Sequence, residues 1–346
     1  TKTSELNKAL FMAAYTTGEI KAIGKPTVIE HDGPAGLMQS DNNGNSWTGD
    51  VCGYPSEVLI AQTFNVDLAY EIGYALGQES LTNGNNGWYA PGTNIHRSPF
   101  GGRNFEYYSE DPLIGGKFAA ATISGAGDCG VYSTLKHFAL NDQEAQRKPD
   151  TGLDINVWAT EQAIREIYLK VGEIAIKEAR KTIKYVADEN GTIKEKTMRA
   201  ADGIMAGDCA PGGEYTAYNY NLMTEIVRNE WGFRGFVVTD MHISQENDID
   251  RMVRAGCDLQ MSLVFFNCSE YKDYNSASGQ WALRNAVKNY CYAIVNSNAM
   301  QGAAPGAIIT YGMSPWAIWL TVANVVVYGF SVAVVVFLVL RGRKES

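Results

Sequence analysis

The chain has 346 residues, 45% of them hydrophobic and 19% charged, with no repeat or low-complexity tract, which excludes a fibrous or disordered protein and allows one large or two medium domains. Its formal net charge of -9 argues against nucleic acid as a partner, because phosphate binding needs an excess of lysine and arginine. The six cysteines lack CxxC spacing, so no zinc site is indicated, and they could pair outside the cell or remain free thiols.

Residues 1–300 alternate short apolar runs with amphipathic stretches, which is the pattern of an α/β fold. Four apolar runs end on polar residues: 26–30 before Asp32, 131–135 before Lys136 and His137, 203–206 before Asp208, and 235–239 before Asp240. Strands that carry functional residues at their carboxyl ends are typical of a (β/α)8 barrel. A doubly wound sheet gives a similar pattern, but no GxGxxG cofactor motif follows these strands. We therefore expect a TIM-like barrel over residues 1–295 and no cofactor.

Helices and connections are predicted between these strands. Residues 158–179 and 222–231 place apolar side chains at three- and four-residue steps, which predicts helices with one apolar face. Residues 185–196, with a turn at Gly191, are predicted to be an exposed hairpin or loop insertion. Residues 296–315 are rich in Asn, Ala and Gly and are expected to form a tether.

Residues 316–340 contain no charged side chain and are long enough to cross a bilayer core as a helix. Trp316 and Trp319 lie at one end, and the basic tail at 341–346 lies at the other. Because positive charge stays in the cytoplasm, we expect a single-pass plasma-membrane protein with an extracellular barrel and a cytoplasmic C-terminus. The alternative is a buried core helix. The chain opens at Thr1 without a signal peptide, so we expect it to be processed or part of a longer precursor.

Several polar residues could carry chemistry. Asp240 follows a β-branched strand and would project into the barrel mouth, where a carboxylate can act as a nucleophile. Lys136 and His137 provide two donors at a strand end, which can bind hydroxyls or orient a carboxylate. Arg103 lies on a glycine-rich loop, and Asp32 follows a histidine in HDGPAG. Each of these residues also has a structural interpretation, such as a turn or a helix cap.

Six segments occur in a specific order: HDGPAG (31–36), APGTNIHR (90–97), GRNFEYYSEDP (102–112), LKHFALNDQEAQR (135–147), TEQAIREIYL (160–169) and RNEWGFRGFVVTD (228–240). Together they resemble glycoside hydrolase family 3, the β-glucosidase family, over residues 20–265. The resemblance implies an exo-acting, retaining β-glycosidase that takes oligosaccharides or other β-glycosides, with Asp240 as the nucleophile. It also implies that the sugar is bound by Asp32, Arg103, Lys136, His137 and Arg147.

The same resemblance implies a missing part, because the acid/base of the family usually comes from a second domain after the barrel. Here a predicted span follows, so we expect another domain or chain to supply the acid/base, and we name no residue for it. Asp208 stands where an aromatic residue is expected, and Met241 stands where Trp or Tyr is common. These departures imply altered specificity or an impaired site. The alternatives are a carbohydrate-binding pseudoenzyme or surface receptor, and the membrane-tethered half of a split or processed glycosidase.

Overall fold

The chain divides into two compact units, Thr1–Gly302 and Ala303–Ser346, in a computed structural model. The structure describes residues 10–13, 15–38, 51–145, 147, 155–241, 248–262, 270–300, 313 and 315–343. The first unit contains the sheets and all but one of the described helices, and the second contains a single described helix.

One eight-stranded sheet forms the centre of the first unit. Its strands are β1 (Phe11–Ala13), β2 (Thr16–Thr17), β3 (Val28–Asp32), β4 (Gly87–Tyr89), β5 (Tyr132–Phe138), β9 (Ala201–Ala206), β11 (Phe236–Thr239) and β12 (Gln260–Ser262). Their spatial order is β11-β9-β5-β4-β3-β2-β1-β12. Two smaller pairs accompany this sheet: β6 (Ile155–Val157) with β10 (Cys209–Pro211), and β7 (Arg180–Val186) with β8 (Ile193–Arg199).

The sheet curves until its two outer strands approach each other. Val238 of β11 and Leu259, just before β12, form a parallel bridge, and the Thr239 amide donates to the Leu259 carbonyl at 3.0 Å. The strands β3, β4, β5, β9 and β11 are mutually parallel. These features confirm the predicted α/β class with a barrel-like sheet.

One strand departs from the uniformly parallel barrel that the sequence pattern predicts. Strand β2 is antiparallel to both of its neighbours, β1 and β3. Ala13 pairs with Thr16, and only two residues of sequence separate β1 from β2, which is the spacing of a tight turn. Such a turn can connect only antiparallel strands, because parallel strands need a crossover of a dozen or more residues.

Helices cover the outside of the sheet. They are α1 (Glu57–Ala61), α2 (Val66–Thr82), α3 (Pro112–Asp128), α4 (Lys170–Glu178), α5 (Ile249–Ala255) and α6 (Ala277–Val295). The helix predicted over 158–179 starts later, at Glu161, because the Thr160 hydroxyl accepts the Ala163 amide hydrogen at 3.2 Å and caps the first turn. A π-helical segment, Ile164–Tyr168, precedes α4. The second predicted helix is the π-helix Asn221–Glu230.

The predicted hairpin is confirmed, since β7 and β8 pair antiparallel from Arg180 with Arg199 to Val186 with Ile193. The first residues of the predicted tether, 296–300, make contacts within the first unit. The Asn296 carbonyl accepts from Lys181 Nζ at 2.8 Å, and Asn298 Oδ1 accepts from Asn86 at 2.8 Å. Residues 296–300 are therefore part of the first unit, and most of the predicted tether (301–312 and 314) lies outside the described residues.

The second unit contains helix α7 (Pro315–Gly342), which includes the predicted span 316–340. Its length and composition are sufficient to cross a membrane. The last residues of the predicted basic tail, 344–346, lie outside the described part of the chain.

Candidate active site

The parallel strands bring four predicted site segments to one edge of the sheet. Asp32 ends β3, Lys136 and His137 lie near the end of β5, and Asp240 directly follows β11. Asp208 lies two residues after the end of β9. Because parallel strands have their carboxyl ends on the same side, these side chains are positioned around a common opening.

Lys136 joins two carboxylates on one side of this opening. Its Nζ lies 2.6 Å from Asp32 Oδ1 and 3.0 Å from Glu106 Oε1, and its side chain is only 3% exposed. Arg103 binds the same glutamate with two hydrogen bonds, from Nε to Oε2 at 2.6 Å and from Nη2 to Oε1 at 2.7 Å. A bidentate pair of this kind fixes both the position and the plane of the carboxylate.

Arg147 joins three carboxylates on the other side. Its Nη2 donates to Asp240 Oδ2 at 2.5 Å, its Nε to Asp208 Oδ2 at 3.2 Å, and its Nη1 to Glu144 Oε2 at 3.1 Å. Glu144 Oε1 lies 3.7 Å from Arg103 Nη1 and so links the two sides. The result is one charge network, which consists of Asp32, Lys136, Glu106, Arg103, Glu144, Arg147, Asp208 and Asp240.

His137 lies beside Asp240 as a neutral imidazole. Burial, followed by the positive charges of Arg103, Lys136 and Arg147, holds the pKa of His137 well below its usual value. Burial also raises the pKa of Tyr107, which keeps its hydroxyl protonated. That hydroxyl lies 3.2 Å from His137 Nδ1. If it donates there, the imidazole hydrogen is on Nε2, which lies 3.7 Å from Asp240 Oδ2.

The network keeps Glu106 ionised and the cations charged. Burial opposes ionisation of Glu106, but the hydrogen bonds and charges of Arg103 and Lys136 outweigh it and lower the pKa of Glu106. Burial likewise disfavours the Lys136 ammonium, yet Asp32 and Glu106 raise the pKa of Lys136 above its usual value. The pKa of Arg147 is raised in the same way, because Asp240, Glu144 and Asp208 overcome the effect of its burial.

Asp240 is held at both of its oxygens. Oδ1 accepts the Met241 amide hydrogen at 2.7 Å, and Oδ2 faces Arg147 and His137. The residue is 7% exposed. A fixed carboxylate, surrounded by further donors and acceptors for hydroxyl groups, has the features of a site for nucleophilic chemistry on a polyhydroxylated ligand.

The structure brings all six predicted site residues together. The sequence reasoning missed Glu106 and Glu144 as members of the site, and it also missed Tyr107. One local signal was available, since Glu106 follows Arg103 by three residues and Arg147 follows Glu144 by three. Among the described residues, no group of three or more His, Cys, Asp or Glu side chains is arranged to hold a metal ion.

Comparison with known proteins identifies the family. The model of the glycosyl hydrolase family 3 N-terminal domain matches residues 3–276. Beta-glucosidase A of Butyrivibrio fibrisolvens is 38% identical over 244 residues, which are 70% of this chain and 26% of that protein. Beta-glucosidase of Ruminococcus albus is 36% identical over 250 residues, or 70% of this chain and 23% of that protein.

Solved structures agree. Beta-glucosidase 3B of Thermotoga neapolitana in complex with glycerol is similar with a TM-score of 0.65 and 30% identity, over 84% of this chain and 39% of that chain. The same enzyme in complex with glucose gives a TM-score of 0.67 at 27% identity, over 86% of this chain and 41% of that chain. The chain spans about a quarter of the length of the curated relatives it matches. It belongs to glycoside hydrolase family 3 and matches the N-terminal domain of that family.

Proposed function

We propose that this chain is the catalytic barrel of a retaining, exo-acting β-glycosidase that resembles the β-glucosidases. The observation that carries the proposal is the position of Asp240, which ends the charge network at the carboxyl end of β11 with Arg147 and His137 against one oxygen. The substrate class follows from the named β-glucosidases among its relatives. The finer fold proposal is that the curved sheet is a (β/α)8 barrel.

In the proposed reaction, an Asp240 carboxylate oxygen attacks the anomeric carbon of the non-reducing sugar. The bond from that carbon to the leaving oxygen breaks, and the leaving oxygen takes a proton from an acid. Water, deprotonated by the same group, then cleaves the glycosyl ester and restores Asp240 with net retention. Asp32, Arg103, Lys136 and Arg147 would hold the sugar hydroxyls, because fixed charged groups make strong hydrogen bonds to them. The neutral imidazole of His137 would add a further hydrogen bond to a hydroxyl.

We assign the acid/base to a second domain or partner chain. A retaining pair of carboxyl groups lies about 5–5.5 Å apart, and the other carboxylates of the network are all engaged with Lys136, Arg103 or Arg147. This assignment makes a chemical prediction about leaving groups. Substrates with a poor leaving group need the acid, whereas a dinitrophenolate leaves without protonation.

Turnover of two aryl β-glucosides tests the proposal. The chain is expected to release dinitrophenolate from dinitrophenyl β-glucoside, with slow hydrolysis of the glycosyl ester because the base is supplied elsewhere, and to act on phenyl β-glucoside far more slowly. Asp240→Asn should lower kcat/KM for the dinitrophenyl substrate by about a thousandfold or more. Asp67→Asn, at an exposed position in the first turn of α2, is the matched control and should leave the rate unchanged. Equal rates for Asp240→Asn and the parent chain would exclude Asp240 as the nucleophile.

A second candidate is a carbohydrate-binding pseudoenzyme or surface receptor. It is favoured by Asp208, whose carboxylate competes with Asp240 for the same Arg147 guanidinium. Such a protein would bind β-glycosides through the same network without forming a covalent intermediate.

A third candidate is the membrane-tethered half of a split or processed enzyme. Co-purification of a second polypeptide that restores phenyl glucoside hydrolysis would support it.

We also propose that residues 316–340 anchor the protein in the plasma membrane, with the barrel outside and the C-terminus in the cytoplasm. The support is the length and apolar composition of helix α7, with Arg341 and Arg343 at its end. The protein should then resist extraction from membranes by alkaline carbonate, and added protease should reach the barrel in intact cells. Release by carbonate, or protection of the barrel, would contradict this arrangement.

A further inference from the structure

A pocket outside the charge network combines an exposed tryptophan with polar side chains. It has a volume of about 470 Å³, and its lining includes Trp158, Glu161, Arg165, Pro211, Asn221 and Glu225. We call it the Trp158 pocket. Trp158 is 76% exposed. Large aromatic residues are mostly buried in folded proteins, and an exposed one can mark a binding surface. Small-molecule sites commonly have volumes of about 300–1,000 Å³ and aromatic walls with a few placed polar groups.

Part of the pocket wall comes from the segments that continue out of two of the site strands. Leu140 follows His137 by three residues, and Pro211 follows Asp208 by three residues. Strand β6 pairs in parallel with β10, and this pairing places Val157 beside Pro211. The Gly212 amide donates to the Val157 carbonyl at 2.9 Å, directly before Trp158. The pocket is therefore built on backbone hydrogen bonds next to the segments that hold the site.

Gly213 lies next to the Trp158 ring. Gly213 has a φ of +83° and lies so close that a Cβ there would be 3.8 Å from two indole carbons. A left-handed backbone of this kind favours glycine, and the glycine lets the chain turn beside the ring. Within the described part of the chain, Trp158 remains 76% exposed. An open aromatic face is the surface on which the CH groups of a pyranose ring stack, because both are flat and apolar.

The polar residues of the pocket suit a neutral, hydroxyl-rich ligand. The Arg165 guanidinium is held by Glu161 at 2.9 Å and by Glu230 at 2.7 Å. Glu225 Oε2 accepts from Asn229 at 3.0 Å, and Asn219 Oδ1, which also lines the pocket, accepts the Leu222 amide hydrogen at 3.0 Å. The lining carries three carboxylates, Glu161, Glu225 and Glu230, against one guanidinium, and this negative excess disfavours phosphates and acidic sugars. Amides and carboxylates that point into a pocket can accept and donate hydrogen bonds to equatorial hydroxyls.

We propose that the Trp158 pocket is a second carbohydrate site, which binds a neutral glucosyl unit of an oligosaccharide outside the catalytic opening. The choice of a glucosyl unit as ligand rests on the proposed function, whereas the existence of a binding site rests on the volume and lining of the Trp158 pocket. Such a site would hold a longer glycan close to the barrel mouth and raise the local concentration of chain ends.

Binding of cellotetraose and laminaritetraose to the full chain tests this proposal by calorimetry. The protein is kept in a detergent that carries no sugar, because alkyl glucosides would occupy both sites. Asp32→Ala removes a predicted contact of the catalytic opening and leaves the Trp158 pocket intact. We expect Asp32→Ala to retain tetraose binding at the second site. Trp158→Ala should weaken that binding by about tenfold or more, and Trp158→Phe should restore part of it.

Trp281→Ala is the matched control. Trp281 is 68% exposed and lines a separate pocket of about 540 Å³ together with Arg228, Arg254 and Lys288. This variant should bind the tetraoses like the parent chain, and unchanged thermal unfolding of the three tryptophan variants excludes misfolding. Asp32→Ala removes one partner of the buried Lys136 and is expected to unfold at a lower temperature. Unaltered affinity in Trp158→Ala, or an absence of binding to the parent chain at about 1 mM sugar, would overturn the second site. Loss of Asp240-dependent turnover with intact Trp158-dependent binding would instead contradict only the proposed catalytic function.

Discussion

Arg147 is the residue on which the site depends most, because one guanidinium serves three carboxylates. It contacts Asp240, Asp208 and Glu144 through three different nitrogens. A planar fork places these donors on three separate nitrogens, whereas a lysine ammonium has its three donors on a single atom and lacks this spread. The presence of Asp208 therefore has a local structural explanation, since its charge is compensated by the same arginine that orients the proposed nucleophile.

Replacing Arg147 should harm stability and activity for separable reasons. Arg147→Met leaves three carboxylates close together without their shared cation. We expect a loss of about 2 kcal/mol in the free energy of unfolding, below the usual cost of breaking a fully buried pair, because the Arg147 side chain is 19% exposed. Adding Asp208→Asn should recover part of this stability but none of the lost turnover. Denaturant unfolding and dinitrophenyl glucoside hydrolysis measure the two effects.

The double variant, Arg147→Met with Asp208→Asn, tests whether Arg147 orients Asp240 in addition to neutralising Asp208. If Asp208→Asn restores activity to Arg147→Met, then Arg147 acts only by neutralising Asp208 and does not orient Asp240. If Arg147→Met and the double variant both unfold like the parent chain, the contacts of Arg147 contribute nothing measurable to the free energy of unfolding. The expected result is that Asp208→Asn recovers part of the stability lost in Arg147→Met and none of its turnover.

Among the elements, helices α2 and α3 show how closely the outer layer is packed. A Cβ at Gly125 of α3 would lie 2.1 Å from the Tyr70 carbonyl oxygen of α2, and a Cβ at Gly73 would lie 2.1 Å from the Thr122 carbonyl oxygen. The two helices therefore touch backbone to backbone. Glycine is required at this crossing by space, although it lowers the intrinsic stability of a helix.

Two alanine substitutions in α3 should have opposite effects. Gly125→Ala should destabilise the protein by about 2 kcal/mol or more, because a backbone carbonyl must move to admit the methyl group. Gly115→Ala places its Cβ 3.4 Å from the Val171 methyl groups, an ordinary contact, and should gain up to about 1 kcal/mol in helix propensity. Thermal unfolding of the two variants gives the comparison. Equal effects would show that helix propensity, and not the crossing, determines both.

At the scale of the whole molecule, a buried carboxyl inside the sheet should make stability depend on pH. Glu30 is completely buried, accepts a hydrogen bond from the Tyr132 hydroxyl, and lies near Lys25 and Tyr290. Burial raises the pKa of Glu30 from 4.5 to about 7 against the opposing effects of these neighbours. Between these two values the folded state binds more protons than the unfolded state, so the free energy of unfolding falls as pH rises.

Glu30→Gln removes this titration and keeps an acceptor for Tyr132. The variant and the parent chain should be of similar stability near pH 4, and the variant should be more stable by about 3 kcal/mol near pH 7.5. Measurements stop below the pKa of Lys25, which burial lowers to about 8. A stability difference that does not change with pH would show that folding does not raise the pKa of Glu30.

The four long site strands were predictable because each is a run of apolar, often β-branched residues that ends on polar ones. Strands β1, β2 and β12 have only two or three residues and give no periodicity to read. The π-helical turns at 164–168 and 221–230 were predicted as ordinary helices, since apolar spacing does not distinguish them. Glu106 and Glu144 were missed as site residues although each lies three residues from an arginine, because the approach that joins their two segments, 3.7 Å between Arg103 Nη1 and Glu144 Oε1, spans 41 positions of sequence. Only the folded chain brings those residues together.

The central claim is that Asp240 forms a covalent bond to the sugar. A dinitrophenyl 2-deoxy-2-fluoro-β-glucoside tests it most directly, because its leaving group needs no acid and the fluorine slows hydrolysis of the ester. Mass spectrometry of the intact chain and of its peptides should find one fluoroglucosyl group on Asp240, which is absent from Asp240→Asn and present in Asp67→Asn. An unmodified chain that still binds the glycoside would contradict catalysis and favour the pseudoenzyme, and a label on another residue would refute the role of Asp240.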